Sequence, residues 1–136
     1  MILVDTSVWV QHFRRGMPVF ADALARGQIS IHQVVLGELA CGNLSQRTRT
    51  LTDLRRLPHA NSATFEECLS LIESRSLYGR GLGWNDVQLL AAARLSNHLL
   101  WSLDTRLVAV AGKLGVAMKT GSRVLAEGPI PATTKA

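Results

Sequence analysis

The apolar residues of this chain include two short runs that each end at an aspartate. Residues 1–4 read MILV and lead into Asp5, and residues 98–103 read HLLWSL and lead into Asp104. Neither run alternates apolar with polar residues, which is typical of strands that are buried on both faces. The pattern therefore predicts two interior strands, each with a carboxylate at its C-terminal end.

The other apolar residues recur mostly at helical spacing. Glycine, proline and capping residues mark the ends of the elements. Thr6 or Ser7 is expected to cap the first helix, and Thr64 and Glu67 have the spacing of a capping box. The pattern predicts short strands at 29–31 and 116–118, a glycine-containing loop at 78–83, and helices at 8–15, 19–26, 33–41, 45–57, 64–77, 84–96 and 106–114.

Strands that alternate with helices indicate an α/β protein with a parallel sheet. The carboxyl ends of parallel strands lie along one edge of the sheet, and ligands bind outside that edge. We therefore expect Asp5 and Asp104 to leave the core and to lie in a shared cleft.

The length and composition suit one globular domain. The chain has 136 residues, of which 47% are hydrophobic, and this is enough for a sizeable core. We expect a single domain over residues 1–126 and a mobile tail over 127–136, which lacks a core pattern. No apolar run is long enough to cross a membrane. Two cysteines and no visible secretory signal favour a cytoplasmic protein with reduced thiols.

The charge balance is basic, with 15 lysines and arginines against 10 acidic residues and a net charge of +5. Twelve of the basic residues are arginines, whose planar guanidinium groups bind phosphates in a bidentate way. This balance favours a polyanionic partner such as nucleic acid. A basic surface with solvated arginines would give the same count.

Four acids occupy places where a surface carboxylate is not expected. Asp5 and Asp104 end buried strands, Glu38 lies in the apolar stretch VVLGELACG, and Asp86 lies in the first turn of the most apolar helix. Two unit charges about 4 Å apart repel by about 4 kcal/mol at an effective dielectric constant of about 20. No lysine or arginine lies within eight residues of Asp5, so protons or hard divalent cations would have to neutralise a cluster.

Each acid also has an ordinary structural explanation. Asp86 and Asp104 fit helix N-termini, where a carboxylate accepts backbone hydrogen bonds. The Glu38 side chain is compatible with a partly exposed helix position, and Asp5 is compatible with an ion pair to an arginine that is distant in sequence. Since all four would have to be coincidental, a shared metal site is the simpler interpretation.

At these four acids the chain resembles the PIN-domain nucleases, and specifically the VapC toxins of bacterial toxin–antitoxin pairs. The resemblance covers about residues 2–125, and it is carried by the stretches ILVDTSVWV, GELACG, LGWNDVQLLAAA and LLWSLDTRL. It implies a PIN-like fold, with a twisted, mainly parallel sheet of about five strands flanked by helices.

The resemblance further implies a metal-dependent endoribonuclease that hydrolyses RNA, such as tRNA or another structured RNA. It assigns Asp5, Glu38, Asp86 and Asp104 as the carboxylates that hold Mg²⁺, with Mn²⁺ as a substitute. Ser7 matches a hydroxyl that supports the site through hydrogen bonds. Ser102 stands where many members carry threonine, so the hydroxyl is kept.

The family also implies partners. A VapB-type antitoxin would lie across an apolar groove and the acidic site, and the first two helices carry enough apolar residues for such a groove. Members commonly form homodimers. RNA contacts are expected from residues that follow the strand ends or the glycine-containing loop, namely Arg14, Arg15, Arg80, Arg106 and Trp84.

Other α/β proteins with an aspartate at a strand end fit less well. A phosphoacceptor receiver domain needs adjacent acids after its first strand, but Thr6 follows Asp5. A haloacid-dehalogenase-type phosphatase needs a second acid two residues on, where this chain has Ser7. Two alternatives stay open: a non-catalytic RNA- or protein-binding module on the same fold, and a nuclease that acts in RNA processing or on DNA rather than as a toxin.

Overall fold

The structure is a computed structural model that describes residues 1–119. Three strands and seven helices alternate along this part of the chain. Their bounds are β1 (Ile2–Val4), α1 (Thr6–Arg15), α2 (Pro18–Ala25), β2 (Ile29–Ser30), α3 (Gln33–Cys41), α4 (Arg47–Arg55), α5 (Phe65–Arg75), α6 (Trp84–Ser96), β3 (Leu99–Trp101) and α7 (Thr105–Lys113).

The sheet is parallel, with strand order β2-β1-β3. In the register of the central strand, Ile2 lies opposite Ile29 on one side and Leu99 on the other. The predicted parallel α/β architecture is therefore confirmed. Isolated parallel bridges extend both edges, through Ile31 and His59 and through Leu100 and Ala117, but the predicted count of about five strands is not confirmed within residues 1–119.

The core lies around β1, whose three side chains are completely buried. Trp9, Phe20 and Trp101 form an aromatic group beside the sheet, with the rings of Trp9 and Phe20 in edge-to-face contact at 4.8 Å between centroids. Helix α6 buries six apolar residues and contacts β3. Packing of this kind fixes the carboxyl ends of β1 and β3 next to each other.

The start of the first helix differs from the prediction. Asp5, and neither Thr6 nor Ser7, is the N-cap residue of α1, and its carboxylate makes no capping hydrogen bond. Its backbone N–H donates to the carbonyl of Trp101 at 2.9 Å, so the pairing of β1 with β3 runs one residue past β1. The side chain is thereby placed at the edge of the sheet rather than over the helix.

The other differences are in element ends. The predicted strand at 116–118 is reduced to the bridge at Ala117, and α4 is shorter than predicted because Gln46 takes a left-handed conformation before it. The capping box of α5 is confirmed, with Thr64 and Glu67 each accepting a backbone hydrogen bond from the other. The predicted tail at 127–136 lies outside the described residues. Within residues 1–119, no helix has the length and apolar character needed to cross a membrane.

Candidate active site

Asp5 is held by two serine hydroxyls that approach the same carboxylate oxygen. Ser7 Oγ and Ser102 Oγ each donate to Asp5 Oδ2 at 2.7 Å. Asp5 is 8% exposed and Ser102 is 6% exposed. Neutral donors orient the carboxylate without removing its negative charge. Among residues 1–119, no hydrogen bond to Asp5 Oδ1 is formed.

The same two hydroxyls accept hydrogen bonds from the loop after β3. The backbone N–H of Leu103 donates to Ser7 Oγ, and that of Asp104 donates to Ser102 Oγ, both at 3.0 Å. Each serine therefore links a backbone N–H of this loop to the Asp5 carboxylate. The network fixes Asp104 relative to Asp5 although 99 positions separate them in the sequence.

Asp104 and Asp86 both serve as helix caps, as their ordinary structural explanation predicts. Asp104 Oδ1 accepts from the backbone N–H groups of Arg106 and Leu107 at the start of α7. Asp86 Oδ2 accepts from the N–H of Gly83 at 2.8 Å. Each cap uses one oxygen, so Asp104 Oδ2 and Asp86 Oδ1 carry no hydrogen bond from the described residues.

Glu38 is exposed on α3, and two polar side chains hold it from opposite sides. Thr6 Oγ1 donates to Glu38 Oε1 at 2.6 Å, and Asn85 Nδ2 donates to Oε2 at 3.3 Å. These bonds join α3 to the first turns of α1 and α6. Sequence reasoning did not assign Thr6 to the site, because its partner is 32 residues away. Its position directly after Asp5 was the available signal.

Asp86 lies within electrostatic range of the other three acids. Burial raises the pKa of Asp86, and the negative charges of Asp5, Asp104 and Glu38 raise it further, against a lowering by the Gly83 hydrogen bond. None of the four forms an ion pair with a lysine or arginine of residues 1–119. The side chains are nevertheless spread apart. Within residues 1–119, no three metal-ligating side chains lie close enough together to hold an ion.

The arginines predicted to bind RNA lie on three segments, which are the end of α1, the loop before α6 and the start of α7. All four arginines are exposed. Arg14 lines a cavity together with Glu38, whereas Arg15 ends α1. Arg106 packs over the backbone of Gly81, which has a positive φ of 78° and no space for a Cβ atom. Arg80 donates to the carbonyl of Ser76.

A groove leads away from Glu38 between α1 and the segment 39–57. Three adjoining cavities of about 280, 230 and 330 Å³ share the side chain of Phe13, which is 45% exposed. We call this surface the Phe13 groove. It is lined by Thr6, Val10, Phe13, Arg14, Glu38, Leu44, Thr50, Leu54 and Leu57.

The four histidines make hydrogen bonds elsewhere in the fold. His32 Nδ1 accepts from the N–H of Val34 and caps α3, and His98 contacts the hydroxyl of Ser30 across the sheet. His12 accepts from the N–H of Met17, and His59 contacts the carbonyl of Arg55. Burial lowers the pKa of both His32 and His98. Each histidine therefore has a hydrogen-bond partner outside the acidic cluster.

Comparison with known proteins agrees with this fold. The family model described as "PIN domain" matches residues 2–113. The structure is similar to the crystal structure of PAE2754 from Pyrobaculum aerophilum, with a TM-score of 0.53 and 17% identity over 84% of this chain and 88% of that one. The chain therefore belongs to the PIN-domain family, and the predicted PIN-like fold is confirmed.

Relatives with higher sequence identity indicate which kind of PIN-domain protein the chain resembles. The chain is 40% identical over 119 residues to Ribonuclease VapC32 of Mycobacterium tuberculosis, in both strain CDC 1551 / Oshkosh and strain H37Rv. The match covers 87% of this chain and 96% of the relative. This confirms the resemblance to VapC-type PIN proteins that the sequence indicated.

Proposed function

We propose that this chain is a divalent-metal-dependent endoribonuclease and the toxin of a toxin–antitoxin pair. The observation that carries the proposal is that Asp5, Glu38, Asp86 and Asp104 form no ion pair with a lysine or arginine of residues 1–119, while burial and the charges of the other three raise the pKa of Asp86. Pairing these carboxylates with basic side chains, or moving them apart, would lower the free energy of the folded protein. Their retention without a neighbouring cation is expected if a bound ion neutralises them. The name of the relative, Ribonuclease VapC32, supports RNA as the substrate.

The donor set suits a hard divalent cation. All proposed ligands are carboxylate oxygens, the type that Mg²⁺ and Mn²⁺ prefer. Asp5, Asp86 and Asp104 are each oriented through one oxygen and keep the other for a ligand. The Glu38 oxygens would have to share or release their bonds to Thr6 and Asn85. We infer that the spread side chains draw together when an ion offsets their repulsion.

When bound, such an ion supplies an activated water and stabilises the negative charge that develops on a phosphodiester. Ser7 and Ser102 hold Asp5 in one orientation, so that its other oxygen keeps a fixed direction. This arrangement resembles the outer contacts that orient metal ligands in other enzymes. Arg14, Arg15, Arg80 and Arg106 would bind the RNA backbone from the rim of the cluster.

The Phe13 groove is our candidate for the antitoxin surface. It is apolar around Phe13 and Leu54, and it reaches the acidic cluster at Glu38. An amphipathic segment lying in it would meet both the apolar wall and the site, and would block access of RNA. A VapB-type antitoxin is the expected partner. A homodimer and a cytoplasmic location stay predictions.

The test is cleavage of total RNA by the purified chain, with Mg²⁺, with Mn²⁺ and with EDTA. The Asp5→Asn variant should reduce cleavage to the level seen in EDTA. Asp22→Asn is the matched control, since Asp22 pairs with Arg26 and is not among the charges that raise the pKa of Asp86.

Three results would each contradict a part of the proposal. Cleavage that continues in EDTA would exclude the metal role. RNA binding without cleavage by folded protein would favour the non-catalytic module. If cleavage is metal-dependent but no antitoxin gene lies beside the gene for this chain, a role in RNA processing would replace the proposed role as a toxin.

A further inference from the structure

Two large aromatic side chains are exposed next to each other at the starts of α5 and α6. Phe65 is 61% exposed and Trp84 is 41% exposed. Their ring centroids are 5.3 Å apart, with the planes inclined by 54°. Trp9 and Trp101, by contrast, are almost completely buried. Two adjacent exposed aromatic rings are a candidate binding surface.

The aromatic pair adjoins the acidic cluster. Trp84 directly precedes Asn85, which donates to Glu38, and it stands two residues before Asp86. Two residues of chain span at most about 7 Å between Cα atoms. The backbone of Trp84 therefore lies close to that of Asp86, which carries one of the carboxylates that would hold the ion.

Cationic groups lie in, or pack against, the loop that leads to Trp84. The Arg106 guanidinium packs over Gly81, and three residues of chain from Gly81 to Trp84 span at most about 11 Å. Arg80 directly precedes Gly81 in this loop and is exposed. The surface thus combines flat apolar rings with phosphate-binding cations. A second copy of this chain would bring its own basic groups against them, which is unfavourable for a protein with a net charge of +5.

We propose that Trp84, supported by Phe65, is a stacking surface for an unpaired base of the RNA substrate, beside the phosphate that is cut. A nucleotide satisfies both features, because its base has an apolar face and its phosphate pairs with arginine. A base inside a duplex is already stacked on its neighbours and cannot lie on the ring. The inference rests on the proposed function and adds that the RNA is single-stranded at this position.

The test compares two fluorescently labelled RNAs, a ten-nucleotide single strand and a hairpin with a continuous stem. Affinity is measured by fluorescence anisotropy in Mg²⁺, and all proteins carry Asp5→Asn so that the RNA stays intact. Trp84→Ala should weaken binding of the single strand by at least about fivefold, as expected when one base can no longer stack, and should leave the stem unchanged. Trp84→Phe, which keeps an aromatic ring, should retain most of the affinity.

The matched control is Leu95→Ala, which removes an apolar side chain with 49% exposure from the other end of α6 and should change neither affinity. Tryptophan emission gives a second measurement. Single-stranded RNA should quench it in the Asp5→Asn protein and should not in the protein that also carries Trp84→Phe, because Trp9 and Trp101 are shielded.

The inference is wrong if the Trp84→Ala variant binds the single strand as tightly as the protein that carries only Asp5→Asn. It is also wrong if Trp84→Ala weakens binding of the single strand and of the hairpin equally. A peptide partner on this surface would give the first of these results. It is also wrong if Trp84→Ala changes the sedimentation coefficient to that of a smaller assembly, since the rings would then be an interface between copies. Cleavage by the chain with native Asp5 separates these failures from failure of the proposed function. If cleavage is metal-dependent while Trp84→Ala fails the binding test, only the stacking inference is wrong; if the chain shows no metal-dependent cleavage, the proposed function is wrong.

Discussion

Each aspartate of the site is oriented by neutral donors through a single oxygen. Asp5 receives two hydroxyls, whereas Asp86 and Asp104 receive backbone N–H groups. A paired arginine would have fixed these side chains equally well but would have cancelled their charge. Neutral donors retain the charge and leave one oxygen of each aspartate for a ligand. This explains why Asp5 ends a buried strand with no basic side chain close to it in sequence.

Asp86→Asn should stabilise the ion-free protein. The pKa of Asp86 is raised in the folded state, so its contribution to stability is present below the unfolded pKa and is lost as the pH rises through the folded pKa. At neutral pH the charged side chain therefore costs free energy, and asparagine removes the charge while keeping an acceptor for Gly83. Thermal unfolding in EDTA should show a higher Tm for the variant. A lower Tm would contradict the repulsion.

Ser102→Ala should destabilise the fold by about 1–3 kcal/mol, because it removes a buried hydrogen bond to a charged group and leaves the N–H of Asp104 without its acceptor. RNA cleavage should fall as well. Ser102→Thr retains the hydroxyl and should keep more of both. Urea unfolding and cleavage rates of the three proteins measure this. Equal losses in the alanine and threonine variants would mean that volume, and not the hydroxyl, matters.

At the residue scale, the sequence was a better guide to which acids stand out than to which side chains contact them. Asp5 and Asp104 stood out because a charge follows a buried strand, and Ser7 and Ser102 entered through the family resemblance. Thr6 and Phe65 were missed since their partners, Glu38 and Trp84, are distant in sequence. Contacts between distant segments depend on how helices pack around the sheet, and local patterns do not contain that information.

Three helices begin at the site, and their first turns carry its side chains. Helix α1 follows Asp5, α6 contains Asp86 at its third residue, and α7 follows Asp104. The N-terminus of a helix attracts negative charge, so these turns partly offset the repulsion of the acids. Glu38 is carried by α3, which His32 caps through an unprotonated ring nitrogen.

The His32 cap makes the stability of the fold dependent on pH. Burial, aided by the charge of His59, lowers the pKa of His32, so the unfolded chain binds a proton more readily than the folded chain. Stability should therefore fall as the pH is lowered through about 6.5, the ordinary histidine value, towards the folded pKa. His32→Asn keeps a capping acceptor and does not titrate.

Urea unfolding at pH 7.5 and pH 5.5 tests this. The loss of stability on acidification should be smaller in His32→Asn than in the native chain. Part of it should remain, because burial lowers the pKa of His98 in the same direction. An identical loss in both proteins would show that the His32 cap does not sense pH.

At the element scale, long helices were predictable and short strands less so. The prediction of a helix at 84–96 matches α6, since apolar residues dominate it and glycine precedes it. Helix α3 also matches over all of its residues. The strands are two or three residues long, and pairing with neighbours, not local sequence, decides where each ends. The left-handed Gln46 that delays α4 has no evident signal in the sequence.

The whole molecule combines a negative site with a positive surface. The net charge is +5 and the pI about 10, yet four of the ten acids gather at one edge of the sheet. Long-range attraction would bring an RNA to the surface, and only a site neutralised by a cation would then accept its phosphate.

Arg106→Ala should weaken RNA binding and make it less dependent on salt. If the Arg106 guanidinium binds one phosphate, its removal should reduce the slope of log affinity against log salt concentration by about 1. Arg49→Ala removes an exposed arginine from α4 and is the control. Binding of a single-stranded RNA at several salt concentrations measures both slopes. If Arg106→Ala leaves the slope unchanged, Arg106 does not contact a phosphate of the RNA.

The central claim is that four carboxylates form one site for a divalent ion, and the most direct test is Mn²⁺ binding by isothermal titration calorimetry. Asp5→Asn, Glu38→Gln, Asp86→Asn and Asp104→Asn should each weaken binding. Glu73→Gln should not, since Glu73 is not among the charges that act on Asp86. If the native chain binds no Mn²⁺, or if all four variants bind it as the native chain does, the acids do not form the site proposed for them.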